Sequence, residues 1–156
     1  MLKFTIITVG KLKEQAFLTL EKEYLDRLSP YAKIKIVEIP EVAYRKEKDA
    51  SKSRLKEAEI ILKQIPEGSL VIALDEKGKT LTSQNFARVL APYNATSREM
   101  TFIIGSSTGL SDDIKKKSNW FLSLSPLTFT HNFARILLEE QIYMALTILS
   151  EKIYHK

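Results

Sequence analysis

The order of apolar runs along the chain constrains the fold more than any other feature. Five short runs rich in β-branched or aromatic residues are separated by longer segments with apolar side chains at helical spacing. This alternation is typical of α/β domains, in which helices cover a mainly parallel sheet. The predicted strands lie at residues 2–9, 34–39, 69–74, 100–104 and 120–124.

Helix spacing and end signals account for most of the chain between the strands. Pro30 ends the first helix, Ser83 is a candidate N-cap, and Ser111 precedes two aspartates that suit a helix start. Asp75 could hold a ribose hydroxyl or form a turn with Gly78, and the turn is favoured. The predicted helices cover residues 14–28, 50–64, 83–90, a short segment from 112, and 132–149.

Length and composition exclude several classes of protein. The 156 residues fit a single domain spanning 1–156. The absence of cysteine excludes disulfides, thiolate metal sites and thiol nucleophiles. With two histidines, His131 and His155, a metal site would need carboxylates or a second subunit, so we expect no metal. No apolar run reaches about 18 residues, and the first run is too short for a signal peptide. We therefore expect a cytoplasmic protein without a membrane span.

The formal charge of +5 favours an anionic partner such as RNA, although many basic proteins bind no nucleic acid. No dinucleotide fingerprint or P-loop is present. Their absence counts against an unrelated nucleotide-binding α/β protein.

Two loops that follow predicted strands are candidates for ligand binding. Gly105 comes directly after a strand, and a residue without a Cβ lets a ligand approach the backbone closely. The second loop mixes hydroxyls, apolar side chains and a proline, and its free backbone groups could read an adenine edge. It comprises Leu124, Ser125, Pro126, Leu127, Thr128 and Phe129. The alternative for each loop is an ordinary connection, either a tight turn or a loop with buried apolar anchors.

The last helix and the tail carry further candidates. His131 could contact RNA or assist proton transfer, or it could be a helix-entry residue bonded to the backbone. Arg135 could bind a phosphate or pair with Glu139, four residues on. The final Tyr154, His155 and Lys156 combine a stacking ring, an imidazole and a cation, which could face RNA or form a solvated terminus.

Taken in order, these segments resemble one family, the ribosomal RNA large-subunit methyltransferase H family of the SPOUT class. No single motif is specific, but the ordered set runs from the first strand to the last residue. The matching stretches are Val9-Gly10-Lys11-Leu12-Lys13, Leu74-Asp75-x-x-Gly78-Lys79, Phe102-Ile103-Ile104-Gly105-Ser106-Ser107-Thr108-Gly109-Leu110, Leu122-Ser123-Leu124-Ser125-x-Leu127-Thr128, His131, Arg135, Glu140-Gln141-x-Tyr143 and Tyr154-His155-Lys156.

The resemblance implies an α/β fold with a C-terminal trefoil knot, and a homodimer. It implies methyl transfer from S-adenosylmethionine to N3 of a pseudouridine in large-subunit (23S) rRNA, on the assembled ribosome. The cofactor would be held by Leu74, Gly105 and the loop 124–129. In this scheme His131, Arg135 and Lys156 contact RNA. We further expect His155 to accept the N3 proton while Tyr154 positions the base.

Three positions depart from the family pattern. Ser106 and Thr130 stand where the family usually has glycine and proline, and Met144 stands where it usually has arginine. Methionine cannot bind phosphate or stabilise negative charge. The alternative function is therefore a catalytically weakened or silent homologue that binds RNA or the ribosome.

Overall fold

The five predicted strands form one parallel sheet. The computed structural model describes residues 1–96 and 98–150, so the predictions for Tyr154, His155 and Lys156 lie outside the described residues. The strand order is β2-β1-β4-β3-β5, and every neighbouring pair is parallel. The strands are β1 (Leu2–Val9), β2 (Ala32–Ile39), β3 (Leu70–Thr80), β4 (Met100–Ile104) and β5 (Trp120–Ser123). The predicted fold class is confirmed.

Helices cover both faces of the sheet, which explains why β1, β4 and the first half of β3 are continuous apolar runs, whereas the edge strand β2 alternates apolar and charged residues. Side chains such as Phe86 and Leu138 build the core under α1, α3 and α5. Ala58, Ile61 and Ile114 build the core under α2 and α4. The helices are α1 (Gln15–Leu28), α2 (Ala50–Gln64), α3 (Ser83–Thr96), α4 (Asp112–Lys117) and α5 (His131–Leu149), and a 3-10 turn (Glu47–Asp49) precedes α2.

Helix α3 is longer than predicted and begins differently. It continues through Pro92 to Thr96, because a proline one turn from the end removes only one backbone hydrogen bond. The backbone N–H of Asn85 donates to Thr82 Oγ1 at 3.1 Å. Thr82 therefore caps this helix. The predicted cap, Ser83, instead donates to Gln141 Oε1 of α5 at 2.7 Å.

The predicted turn after β3 is present, but the strand does not end there. The Lys77 backbone N–H donates to Asp75 Oδ1 at 2.8 Å, which confirms the turn-forming role of Asp75. Leu74 and Lys79 both pair with Leu122 of β5, so residues 75–78 bulge out of a strand that then resumes. The end predicted at residue 74 is wrong because β5 offers the strand a second place to pair.

Helix α2 buries Ala58 and Ile61 of its predicted apolar stripe, but the first member of that stripe, Leu55, is exposed. Leu55 belongs to the predicted buried stripe, yet 51% of it is exposed. Ser53 and Glu57 are buried instead. Both have polar partners inside: the Ser53 hydroxyl donates to the Val42 carbonyl, and Glu57 accepts a hydrogen bond from Ser106. The side of α2 that carries Ser53 and Glu57 is therefore buried together with polar partners, and Leu55 lies on the exposed side.

Candidate functional site

A cleft of about 800 Å³ opens where β3, β4 and β5 end. Leu74 from β3, Gly105 after β4 and Leu124 after β5 all line it. Ligands of open α/β sheets bind outside the carboxyl ends of the strands. The volume suits a small organic ligand, since such sites typically measure about 300–1,000 Å³.

The glycine loop after β4 forms one wall of the cleft. Its turn is closed by the Gly109 N–H, which donates to the Ser106 carbonyl at 3.0 Å. Gly109 has a φ of +79°, which favours glycine. A Cβ at Gly105 would lie 2.9 Å from Leu110 Cδ2, so a side chain there would displace Leu110. The loop is thus a tight turn, as one alternative held, and it also faces the cleft.

The loop after β5 forms the opposite wall. Its shape is set by Ser125, whose carbonyl accepts from the Ser123 hydroxyl and whose hydroxyl accepts from the Leu127 N–H, each at 3.0 Å. Leu127 and Phe129 are 73% and 39% exposed. The alternative in which these apolar side chains are buried anchors is therefore wrong for both. Of the predicted cofactor residues in this loop, all except Pro126 line the cleft.

His131, the first residue of α5, also lines the cleft. It packs beside the turn that follows β1, where a Cβ on Gly10 would lie 3.5 Å from His131 Nε2. Among the described residues the imidazole has no hydrogen-bond partner, so the backbone-bonded alternative has no support there. The structure therefore brings His131 together with both predicted cofactor loops.

Arg135 does not reach the cleft, and the prediction that it contacts RNA is contradicted. Its side chain is 2% exposed and lies inside the protein among the carboxyl groups of three glutamates. Arg135 Nη2 is 2.5 Å from Glu21 Oε1 and 3.1 Å from Glu38 Oε1, while Nε is 3.7 Å from Glu139 Oε1. The ion-pair alternative is therefore the arrangement found. The distance to Glu139 is the longest of the three, and Glu21 of α1 and Glu38 of β2 lie closer to Arg135.

Glu139 is fully buried in this cluster, and its polar neighbours are the carboxyl group of Glu21 and the guanidinium of Arg135. Burial, followed by the nearby charge of Glu21, raises the pKa of Glu139 from 4.5 to about 9. We therefore expect Glu139 to be protonated at neutral pH. The charge of Arg135 is then balanced by Glu21 and Glu38.

Sequence reasoning missed two residues of α2, one that lines the cleft and one that lies behind its wall. Arg54 lines the cleft, and its Nη1 donates to the Thr108 carbonyl at 3.1 Å. Glu57 lies beneath the glycine loop, where its Oε1 accepts from the Ser106 hydroxyl at 3.0 Å. Burial raises the pKa of Glu57, and the Ser106 hydrogen bond partly offsets that effect. The available signal was a carboxylate directly beside the buried Ala58 in the helical pattern.

Both basic and acidic side chains line the cleft. Lys77 and Lys115 line it together with Asp75 and Glu76. Within residues 1–96 and 98–150, no group of three or more His, Asp or Glu side chains could hold a metal ion. In the same residues no helix is long and apolar enough to cross a membrane.

Comparison with known proteins shows which family this chain is similar to. The family described as "Predicted SPOUT methyltransferase" matches residues 2–155. A protein of Alkaliphilus oremlandii named ribosomal RNA large subunit methyltransferase H is 42% identical over 159 aligned positions, covering 99% of this chain and all of the relative. Relatives of the same name are 43% identical in Caldicellulosiruptor saccharolyticus, over 97% of this chain and 98% of the relative. In Clostridium botulinum such a relative is 40% identical, over 99% of this chain and all of the relative.

Proposed function

Because this chain belongs to the SPOUT methyltransferase family, we propose that it methylates N3 of a pseudouridine in 23S rRNA. The methyl donor would be S-adenosylmethionine and the substrate the assembled large ribosomal subunit. The observation that carries the proposal is the cleft at the ends of β3, β4 and β5. Its walls are the segments to which the family resemblance assigns the cofactor. The named relatives, which act on large-subunit rRNA by their names, support the choice of substrate.

The residues around the cleft suit this donor. Gly105 lines the cleft without a side chain, so a ligand can approach its backbone closely. Packing also favours glycine there, because a Cβ would lie 2.9 Å from Leu110 Cδ2. Leu127 and Phe129 leave apolar surface exposed at the cleft, which can cover an adenine ring. We propose that Leu74, Gly105 and the loop 124–129 hold the donor, with Pro126 shaping the loop from outside the lining.

The bound donor supplies an electrophilic methyl group on a sulfonium. The protein then has to align the attacking nitrogen with that group and exclude water. N3 of pseudouridine carries a proton that must leave. We propose that His155 accepts this proton and that Tyr154 positions the base, although both lie outside the described residues. His131 at the cleft and Lys156 are the proposed RNA contacts.

We propose that the enzyme works as a homodimer. The support is a set of exposed apolar side chains on α1 and α5: Leu18, Leu20 and Phe133 are 40%, 42% and 53% exposed. The basic side chains are scattered over one chain, so a second subunit would enlarge the basic surface. We propose that two subunits and neighbouring parts of the ribosome bind the RNA together. The C-terminal knot, the single domain and the cytoplasmic location remain predictions.

The second candidate is a silent homologue that binds the ribosome without methylating it. Met144 on α5 is the observation behind it, because methionine replaces an arginine usual in the family. The two candidates share the fold and the RNA partner. They differ in turnover alone.

The experiment is methyl transfer from labelled S-adenosylmethionine to whole ribosomes from a strain that lacks the modification, with the nucleoside product identified. N3-methylpseudouridine in 23S rRNA would support the proposal and show that Met144 is tolerated. Calorimetry with S-adenosylhomocysteine runs alongside. Donor binding without methyl transfer would favour the silent homologue. Methylation of another nucleotide would contradict the proposed target.

A further inference from the structure

We propose that Glu57 is a positioning residue for the methyl-donor site, holding the glycine loop 105–109 in place through the hydroxyl of Ser106. This inference rests on the proposed function, since it takes the cleft to be the donor site. Glu57 does not line the cleft. It would act through the loop that does.

A continuous chain of polar contacts joins α2 to this loop. The Ser106 hydroxyl donates to Glu57 Oε1 at 3.0 Å and lies 2.8 Å from Thr108 Oγ1. Arg54, one turn earlier on α2, donates from Nη1 to the Thr108 carbonyl at 3.1 Å. Two neighbouring side chains of one helix thus hold two alternate residues of the loop.

The loop has reason to need such support. It lies between Gly105 and Gly109, and glycine loses more conformational freedom on ordering than any other residue. A ligand that must order a loose loop binds more weakly than one that meets an ordered loop. Tethering Ser106 and Thr108 to a packed helix therefore prepares the wall before the donor arrives.

Glu57 is a costly residue to bury. Only 3% of it is exposed, and its Oε2 has no hydrogen-bond partner among the described residues. Its neighbours on α2, Ala58 and Ile61, are apolar core residues. Burying a carboxyl without full hydrogen bonding costs free energy. An apolar residue would suit this position better if packing were its only role, so the position provides the polar contacts of the carboxyl group, which are with the Ser106 hydroxyl and the Val42 backbone.

The test is a double-mutant cycle on donor binding. We would measure the Kd for S-adenosylhomocysteine by calorimetry with the full chain and with Glu57→Ala, Ser106→Ala and the double variant. Each single change should raise the Kd roughly tenfold, the scale of losing one hydrogen bond to a charged group. The double variant should be no weaker than the single ones, because both changes remove the same contact.

A conservative variant separates positioning from packing. Glu57→Gln keeps an oxygen that can accept from Ser106, so its Kd should stay within about twofold of the parent. Glu59→Ala, on the exposed side of the same helix, is the matched control and should leave the Kd unchanged. Independent effects that multiply in the double variant would overturn the inference. So would a Glu57→Gln variant as weak as Glu57→Ala.

A second measurement needs no ligand. Amide hydrogen exchange of residues 105–109 should speed up roughly tenfold in Glu57→Ala and stay unchanged in Glu59→Ala. Failure of the parent protein to bind S-adenosylhomocysteine would contradict the proposed function alone, and the exchange rates would still decide the role of Glu57. Unchanged exchange in Glu57→Ala would overturn that role.

Discussion

Replacing Glu139 with glutamine should make the protein less sensitive to alkaline pH. Glu139 is fully buried on α5, and its pKa is raised from 4.5 to about 9 by burial and by Glu21. Between these two values the folded protein holds a proton that the unfolded chain has lost. Stability from this group is therefore fully present below pH 4.5 and is lost as pH rises towards 9. Glutamine keeps the size of the side chain and stays neutral, so it removes this dependence.

The size of the effect follows from the proton linkage. One proton changes the free energy of unfolding by about 1.4 kcal/mol for each pH unit. Between pH 5.5 and pH 8.5 the parent protein should therefore lose up to about 4 kcal/mol relative to Glu139→Gln. Other groups that titrate in this range contribute equally to both proteins. The difference between the two curves isolates Glu139.

The assay is urea unfolding followed by the fluorescence of Trp120, the only tryptophan, at several pH values. Protein concentration must be held fixed, since association also changes apparent stability. Glu59→Gln, on an exposed face, is the control and should run parallel to the parent. Parallel curves for Glu139→Gln and the parent would refute the reasoning. They would mean that Glu139 is ionised in the folded protein.

Three further changes test other parts of the structure. Gly78→Ala should destabilise the fold by about 2 kcal/mol in urea unfolding, because a Cβ there would lie 2.8 Å from backbone atoms of β5; unchanged stability would contradict the close pairing. Arg135→Met should lower the free energy of unfolding by about 3–5 kcal/mol at pH 8, because Glu21 and Glu38 lose their cation. A smaller loss of stability at pH 8 than at pH 5 would contradict these ion pairs. Leu127→Ser should raise the Kd for S-adenosylhomocysteine about fivefold by calorimetry, from lost apolar contact. Its stability should stay within about 0.5 kcal/mol, since Leu127 is 73% exposed.

The fold was predictable because its signals are local. Four of the five strands begin with or consist of an apolar run, β2 alternates apolar and charged residues, and Pro30 and Ser111 mark helix ends where the structure has them. The predictions fail where a residue distant in sequence determines the local structure. Residues 79–80 return to the sheet because β5 lies beside them, and Glu57 is buried because Ser106 lies above it. No pattern within either segment records these partners.

The candidate site was predictable only in part. Gly105 and the loop 124–129 follow strands, and the ends of parallel strands meet at one edge of a sheet, so their assembly into one cleft follows from the fold. Arg135 shares a helix face with His131, yet only His131 reaches the cleft. Spacing along the helix predicts that these two side chains share a face. It cannot show that carboxylates from α1 and β2 surround Arg135.

The most direct test of the account is to locate the methyl donor on the protein. Backbone amide chemical shifts would be recorded by nuclear magnetic resonance while S-adenosylmethionine is added to the isotope-labelled full chain. We predict that the largest changes fall on residue 74, on residues 105–109 and on the loop 124–129, and that Leu127→Ser reduces them at the same donor concentration. Changes centred elsewhere, or none at saturating donor, would contradict the claim that this cleft is the donor site.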